Sequence, residues 1–457
     1  MDRPNVLLLY TDQQRWDALG AAGNEFIQTP HLDGLARQGA LFEHAYVNAP
    51  VCMPSRQSML SGLYPETVGT TCNGIEMPPD VPCLHNLLQP YGYHTANNGK
   101  LHFKNHSNRD HRRPHPTYGF DQLIISDEPG CYDDAYIKWV SERAPDQVEA
   151  CRCSTPPAWQ GQPVVKEPRR AIEPYVFAGP EELSHTAFVA EETIDYLRRH
   201  RDDRFFAIAG FYAPHAPLNP PARFVEWYRQ AEMPLPAMNP DENHYGLDDD
   251  AWRQVVAYYY ALVSHVDDQV GRILRALDEL GLRERTLVIF TSDHGEHLGD
   301  HGQEGKGPPG YDSCARVPLL LSWPGVIAPQ RRGEIVEAVD LAPTVLDYCG
   351  VQVPPTLQGR SYRPLLEGRP YQERSSAYIA YHMPFGASWR AVRGRDWFYA
   401  VAGGGQELLF DLRRDPRQLH NVAADLAHSD ALAAMRRELI SRWFDVEAQS
   451  LRRTAAY

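Results

Sequence analysis

The 457-residue sequence contains no apolar run long enough to cross a bilayer. The run nearest its start, from Asn5 to Tyr10 (NVLLLY), stops at Asp12, too short for a signal-peptide core or a membrane span. No membrane attachment is expected. Cysteine is sparse, with eight residues in no dense spacing, and that excludes a disulfide framework. The expectation is a cytoplasmic location with reduced thiols. Cys151 and Cys153 flank Arg152 as an isolated pair, which is more often incidental than ligating. A basic surplus is also missing: 45 Lys and Arg stand against 59 Asp and Glu, for a formal charge of −14. Phosphate backbones want a basic face, so nucleic acid is not the expected partner. A small anionic substrate stays open, because one local cluster of cations can override the global sign. No internal repeat or low-complexity tract stands out.

What is present is an ordinary globular composition, 43% hydrophobic and 23% charged, in a chain long enough for one large domain and a smaller one. Three segments share one design. Asn5 to Tyr10 precedes Thr11-Asp12-Gln13, Phe205 to Tyr212 (FFAIAGFY) precedes Ala213-Pro214-His215, and Thr286 to Thr291 (TLVIFT) precedes Ser292-Asp293-His294. Near-continuous apolar runs of this length read as strands buried on both faces, as in parallel sheets. Ligands in such sheets sit beyond the carboxyl ends of the strands, so three ends can converge on one crevice. Between them, Thr29-Pro30 predicts a capped helix that stops at Gly39. Leu183 to His200 and about Asp250 to Leu280 read as longer helices, the latter closed by Gly281. This alternation through about residue 350 predicts an α/β fold with a doubly wound sheet. Beyond Tyr371, Trp389 to Val401, a Gly403-Gly404-Gly405 turn and Glu407 to Leu412 read as antiparallel strands, with a helix near Ser429 to Trp443. The expected division is residues 1–370 and 371–457. Residues 126–180, rich in proline, carry no readable period.

The stretch that carries chemistry is Cys52-Met53-Pro54-Ser55-Arg56, followed by Gln57-Ser58-Met59-Leu60-Ser61-Gly62. A lone cysteine is usually a small buried hydrophobe. Here Pro54 can start a helix, which sets position 52 at an electropositive N-terminus with Arg56 one turn on. That suits a nucleophile whose product is negatively charged. The stretch resembles the sulfatase signature, C-x-P-S-R followed by x-x-x-L-T-G, with Ser61 where threonine is usual. The resemblance runs from Asn5 to about Gly350 and resumes from Glu407 to Ala423. It is weakest over residues 126–180 and 369–387, where substrate-selecting insertions are expected.

The resemblance implies an alkaline phosphatase-like fold, a large mixed sheet flanked by helices with a smaller C-terminal α+β domain. It implies that Cys52 is oxidised to formylglycine by a maturation enzyme. Asp12, Gln13, Asp293 and His294, with position 52, are its candidate ligands for one divalent ion. An Asp at one strand end is more often a turn residue, but two pairs after two buried strands favour metal. Gln13 replaces an acidic residue of the family, and His294 an Asn. Both variants resemble choline sulfatases and phosphonate monoester hydrolases. Ca²⁺ is the first choice, with Mn²⁺ an alternative because an amide and an imidazole suit Ca²⁺ less cleanly than an all-oxygen shell. Lys100 and His102 resemble the family's lysine-x-histidine pair, His215 its substrate histidine and Lys306 its sulfate-binding lysine. Phosphonate monoester hydrolases resemble one another in having uncharged hydroxyl residues at the positions of Lys100 and His102. The implied mechanism has a hydroxyl of the hydrated aldehyde attack the sulfur of a small sulfate monoester. Arg56, Lys100 and Lys306 stabilise the transferring group, His215 or Lys306 serves the departing alcohol, and His102 takes the proton as the hemiacetal collapses and sulfate leaves. Residues 100–116 add a basic run, Lys104, His106, Arg109, His111, Arg112, Arg113 and His115, which reads equally as a rim that draws anions and as a charged loop. His297 and His301 are nearby and weaker candidates. Rival readings are a phosphonate monoester or phosphodiester hydrolase on the same scaffold, and a metal-binding homologue that has lost catalysis. A homo-oligomer stays open.

Overall fold

The computed structural model describes residues 3–105, 113–130, 132–152, 172–383, 386 and 388–450. Eight strands form one sheet: β1 (Asn5–Asp12), β2 (Ala40–Tyr46), β3 (Tyr93–Gly99), β4 (Gln122–Ile125), β5 (Arg204–Pro214), β6 (Thr286–Ser292), β7 (Leu319–Ser322) and β8 (Gln330–Glu337). Their order is β4-β3-β5-β1-β6-β7-β2-β8. The three apolar runs are therefore neighbours at the centre. β1 pairs in parallel with β5 on one side (Leu8 opposite Ile208) and with β6 on the other (Leu8 opposite Ile289). Among the described strands of this sheet only β7 runs against the rest, which makes the sheet mixed.

Period-2 alternation splits β1 between two cores. Val6, Leu8 and Tyr10 pack on the face covered by the helices Cys52–Ser61 and Leu341–Tyr348. Leu7 and Leu9 pack on the opposite face, under the helices Pro30–Gln38, His185–Arg199 and Asp249–Glu279. Every β1 side chain is buried, which is why the run reads as apolar without alternation. The long helix starts where the Asp248 carboxylate accepts the Ala251 N–H at 2.8 Å. The first helix departs from expectation. The Thr29 hydroxyl donates to Asp33 rather than capping, and the free N–H groups of His31 and Leu32 go to the Asp267 carboxylate at 3.1 and 2.7 Å. A long-range acid thus does the work of a local cap.

β9 (Ser376–His382), β10 (Ser388–Gly394), β11 (Trp397–Ala402) and β12 (Glu407–Asp411) form a second, antiparallel sheet in the order β12-β11-β10-β9. The run from Trp389 to Val401 is two strands, reversed at Arg395-Asp396, and the three glycines make the next turn. The C-terminal helix Ser429–Ser450 packs on one face through Met435, Leu439 and Val446. The other face, with Ile379, Ala391, Phe398 and Phe410, joins the core of the large sheet. No helix among the described residues is long and apolar enough to cross a membrane.

Candidate active site

The carboxyl ends of β1 and β6 bring Asp12 and Asp293 together. Between them stands the N-terminus of the helix Cys52–Ser61, whose ten residues are all buried. Cys52 Sγ lies 3.2 Å from His294 Nε2 and 3.9 Å from Asp12 Oδ1. His294 Nε2 is 3.7 Å from Asp12 Oδ1 and 3.6 Å from Asp293 Oδ1. The ligand atoms of Asp12, Cys52, Asp293 and His294 all fall within 4.8 Å of one another.

This donor set fits a divalent ion. Ligands about 2.0–2.5 Å from a common centre stand about 3–4 Å apart, the spacing seen here. His294 Nδ1 lies 2.8 Å from the Gly295 carbonyl, which can only accept, so Nδ1 carries the proton and Nε2 presents its lone pair. Asp12 Oδ2 and Asp293 Oδ2 face cations, and their Oδ1 atoms lie near His294 Nε2, that of Asp293 also accepting the Gln13 N–H at 3.0 Å. Lys100 Nζ is 2.9 Å from Asp12 Oδ2, and Arg56 Nε donates to Asp293 Oδ2 at 2.6 Å. Burial alone would raise the Asp12 carboxyl, but Lys100 foremost, with Lys306 and Arg56, holds it well below the usual carboxylate range. It is ionised and ready to ligate.

Arg56 is fully buried. Besides Asp293 it meets Asp12 Oδ2 at 3.4 Å, donates to the Lys100 and Thr11 carbonyls at 3.2 and 3.4 Å, and lies over the Tyr10 ring. These contacts turn its guanidinium toward the carboxylates. Lys100 is likewise held between Asp12 and Glu128, the latter at 3.3 Å. Lys306 Nζ faces the other way. It approaches Cys52 Sγ at 2.7 Å, donates to Gln13 Oε1 at 3.0 Å and meets His215 Nε2 at 2.8 Å. His215 Nδ1 is 2.6 Å from the Ala216 carbonyl, so its Nε2 is the acceptor. Burial, helped by Lys306, pushes the His215 pKa down to about 3. Burial, helped by Asp12, pushes the Cys52 thiol up to about 12, so the unmodified thiol is protonated at neutral pH and a weak nucleophile.

His102 follows Lys100 with φ of 56° and its N–H on Asp127 Oδ1 at 2.8 Å, buried but outside the three groups that Cys52 Sγ meets. His297 bonds Ser313 Oγ at 3.2 Å and His301 stacks on Tyr311 at 3.7 Å, so both serve the surrounding packing. Lys104 pairs with Glu76 at 2.8 Å. His106, Arg109, His111, Arg112 and Cys153 lie outside the described residues. Cys151 is buried near Tyr136, away from the cluster. Two acids went unsingled in the sequence. Glu128 sits where no periodicity exists to mark it. Glu296, three residues after Asp293, receives the Gln13 amide N–H, and burial raises its pKa to about 7.

Against known proteins, the family model described as "Sulfatase" matches residues 4–351, and one described as "N-sulphoglucosamine sulphohydrolase, C-terminal" matches residues 299–443. An arylsulfatase of Clostridium perfringens is 31% identical, over 96% of this chain and 94% of its own. A choline-sulfatase of Rhizobium meliloti is 26% identical over 92% and 80%. The solved structure of a phosphonate monoester hydrolase of Agrobacterium radiobacter superposes with a TM-score of 0.85 at 27% identity, over 100% of this chain and 97% of that one. With its fold, its Cys52 segment and a family match over three quarters of its length, the chain belongs to the sulfatase family.

Proposed function

We propose that this enzyme hydrolyses a small sulfate monoester, taking up water and releasing an alcohol and inorganic sulfate. Formylglycine made from Cys52 stands at the reacting centre, and one divalent ion is held by Asp12, Gln13, Asp293, His294 and the matured residue. The observation that carries this is the meeting of Cys52 Sγ with Lys306 at 2.7 Å and with the His294 and Asp12 ligand atoms at under 4 Å. The ion, when bound, supplies Lewis-acid charge next to position 52. Ca²⁺ is our first choice and Mn²⁺ the alternative.

The chain's own groups divide the remaining work. Lys306, in reach of position 52, binds the transferring sulfuryl oxygens. His215 Nε2, fed by Lys306, handles the proton of the departing alcohol. Arg56 and Lys100 hold the two carboxylates in place. His102 is the base for the second proton at position 52. The Cys52–Ser61 segment is wholly buried, so a maturation enzyme would meet it before folding is complete. We read residues 1–370 as the catalytic unit and 371–457 as its C-terminal companion. The six described cysteines are all free thiols, which agrees with a reducing, cytoplasmic setting.

A second reading, phosphonate monoester or phosphodiester hydrolysis, draws on the likeness to the Agrobacterium radiobacter structure. Comparing kcat/KM on aryl sulfate and aryl phosphonate esters separates the two, because that ratio reports differential transition-state binding. Higher kcat/KM for the sulfate is expected. Preference for the phosphonate would replace the first reading by the second, and turnover of neither ester would favour a homologue without catalysis.

A further inference from the structure

Gln13 is the one amide among metal-ligand candidates that are otherwise two carboxylates, an imidazole and position 52, and an amide has two unlike ends. Only its oxygen can ligate a cation. Something has to choose which end faces inward. Gln13 Oε1 accepts from Lys306 Nζ at 3.0 Å, and Gln13 Nε2 donates to Glu296 Oε2. Glu296 is fully enclosed. Its other oxygen, Oε1, is occupied by the Leu298 N–H at 3.0 Å and the Gly305 N–H. Oε2 is thus fixed toward Gln13, and an ionised carboxylate only accepts, so it pairs with the NH₂ end of the amide and not with its oxygen. The backbone of Gln13 is fixed as well, with its N–H on Asp293 Oδ1 at 3.0 Å and φ of 69°, in the left-handed region where a side chain other than glycine needs such support.

We propose that Glu296 is a positioning residue that orients the Gln13 amide, so that its oxygen and not its NH₂ faces Lys306 and the ion. This rests on the metal reading given above. That role accounts for a buried acid that hydrogen-bonds no other side chain among the described residues. The pair behaves as a matched couple: a carboxylate at position 296 requires an amide at position 13, and an amide at position 296 requires an acceptor at position 13.

The test exploits that reciprocity. In Glu296→Gln, the new amide oxygen can still accept from Leu298 and Gly305, but its NH₂ meets the NH₂ of Gln13. The Gln13 amide has to invert or move away, and divalent-ion affinity is expected to fall about 10- to 100-fold, the range for loss of an outer-shell partner. In Gln13→Glu, two carboxylates face each other, and affinity or folding yield falls as well. The double variant carries both exchanges. There the amide at position 296 donates to the carboxylate at position 13, whose second oxygen faces Lys306, and affinity is expected to return to within a few-fold of the original protein. Titration of Ca²⁺ and Mn²⁺ into metal-stripped full-length protein by calorimetry reads this, with thermal unfolding measured alongside. If a single variant folds poorly, recovery of its unfolding temperature in the double variant reads the same coupling. Unchanged affinity and stability in Glu296→Gln, or a double variant no better than its singles, would overturn the proposal. Asp293→Ala is the control for the site: if it keeps wild-type affinity, the metal reading fails, and if it alone loses the ion, only the role of Glu296 fails.

Discussion

Replacing Arg56 by lysine keeps the charge and removes the fork. The guanidinium reaches Asp293 Oδ2 through Nε at 2.6 Å, Asp12 Oδ2 through one terminal nitrogen at 3.4 Å and the Lys100 carbonyl through the other at 3.2 Å, with no exposure to water. An ammonium is one point. It can stay on one carboxylate but cannot span both and satisfy the carbonyls behind them. The variant therefore loses one charge-assisted bond and leaves a buried acceptor short, a loss of about 2–4 kcal/mol. Urea unfolding of metal-stripped protein should show a lower midpoint at unchanged slope. Added divalent ion should stabilise both proteins, the variant less, because stabilisation by a ligand grows with its affinity for the folded state. A loss below about 0.5 kcal/mol, the level of an ordinary surface substitution, would refute the view that Arg56 holds the ligand carboxylates.

Other outcomes follow from the same geometry. When the protein is made with a maturation enzyme, the peptide containing Cys52 should carry an aldehyde that a hydrazine reagent traps. Cys52→Ala should fold while losing turnover, and an unmodified thiol in fully active protein would sink the mechanism. Asp293→Ala should lose both activity and bound metal by elemental analysis, and wild-type metal content would show the ligand assignment to be wrong. Burial holds His185 and His265 down to about 3, so both are neutral when folded and take up protons only on unfolding. The unfolded chain then binds more protons between pH 3 and the ordinary histidine value of 6.5, so stability is full above that value and falls as the pH drops. His265→Gln should flatten that fall by up to about 1.4 kcal/mol per pH unit in urea melts, and an unaltered slope would show that this ring is already charged in the fold.

The centre of the fold was legible because β1, β5 and β6 are buried on both faces and had to be written in apolar residues without alternation. That same pattern fixed where Asp12, His215 and Asp293 emerge. The start of the helix that carries Cys52 was legible from Pro54. Less was readable where a group's partner is distant in sequence. Thr29 looks like a cap, yet the acid that satisfies the helix is Asp267, more than two hundred residues on, and no local pattern announces it. The reversal at Arg395-Asp396 hid inside one strand-like segment because its turn lacks the usual Asn-Gly or Asp-Gly pair. Glu296 was hidden differently. It lies in plain sight in the segment from Asp293 to Lys306, but its importance depends on which end of Gln13 it touches, a contact between residues 283 positions apart.

The fold also distinguishes what each cation can do to a substrate. The sequence puts Arg56, Lys100 and Lys306 on equal terms as groups that bind a transferring anion. In the fold, Arg56 is matched by Asp293 and Asp12, and Lys100 by Asp12 and Glu128. Lys306 is the ammonium that also contacts Cys52 Sγ and the neutral His215. Counted once each, Arg56, Lys100 and Lys306 balance Asp12, Asp293 and Glu128, so the positive surplus facing an incoming ester is what the divalent ion adds, with Lys306 the cation in reach of position 52. It does not separate sulfate from phosphonate monoesters, which carry the same single charge. On the proposed mechanism their discrimination comes after binding, at the step where the alcohol leaves past His215. A preference measured in kcat/KM is for that reason expected to appear in kcat more than in KM.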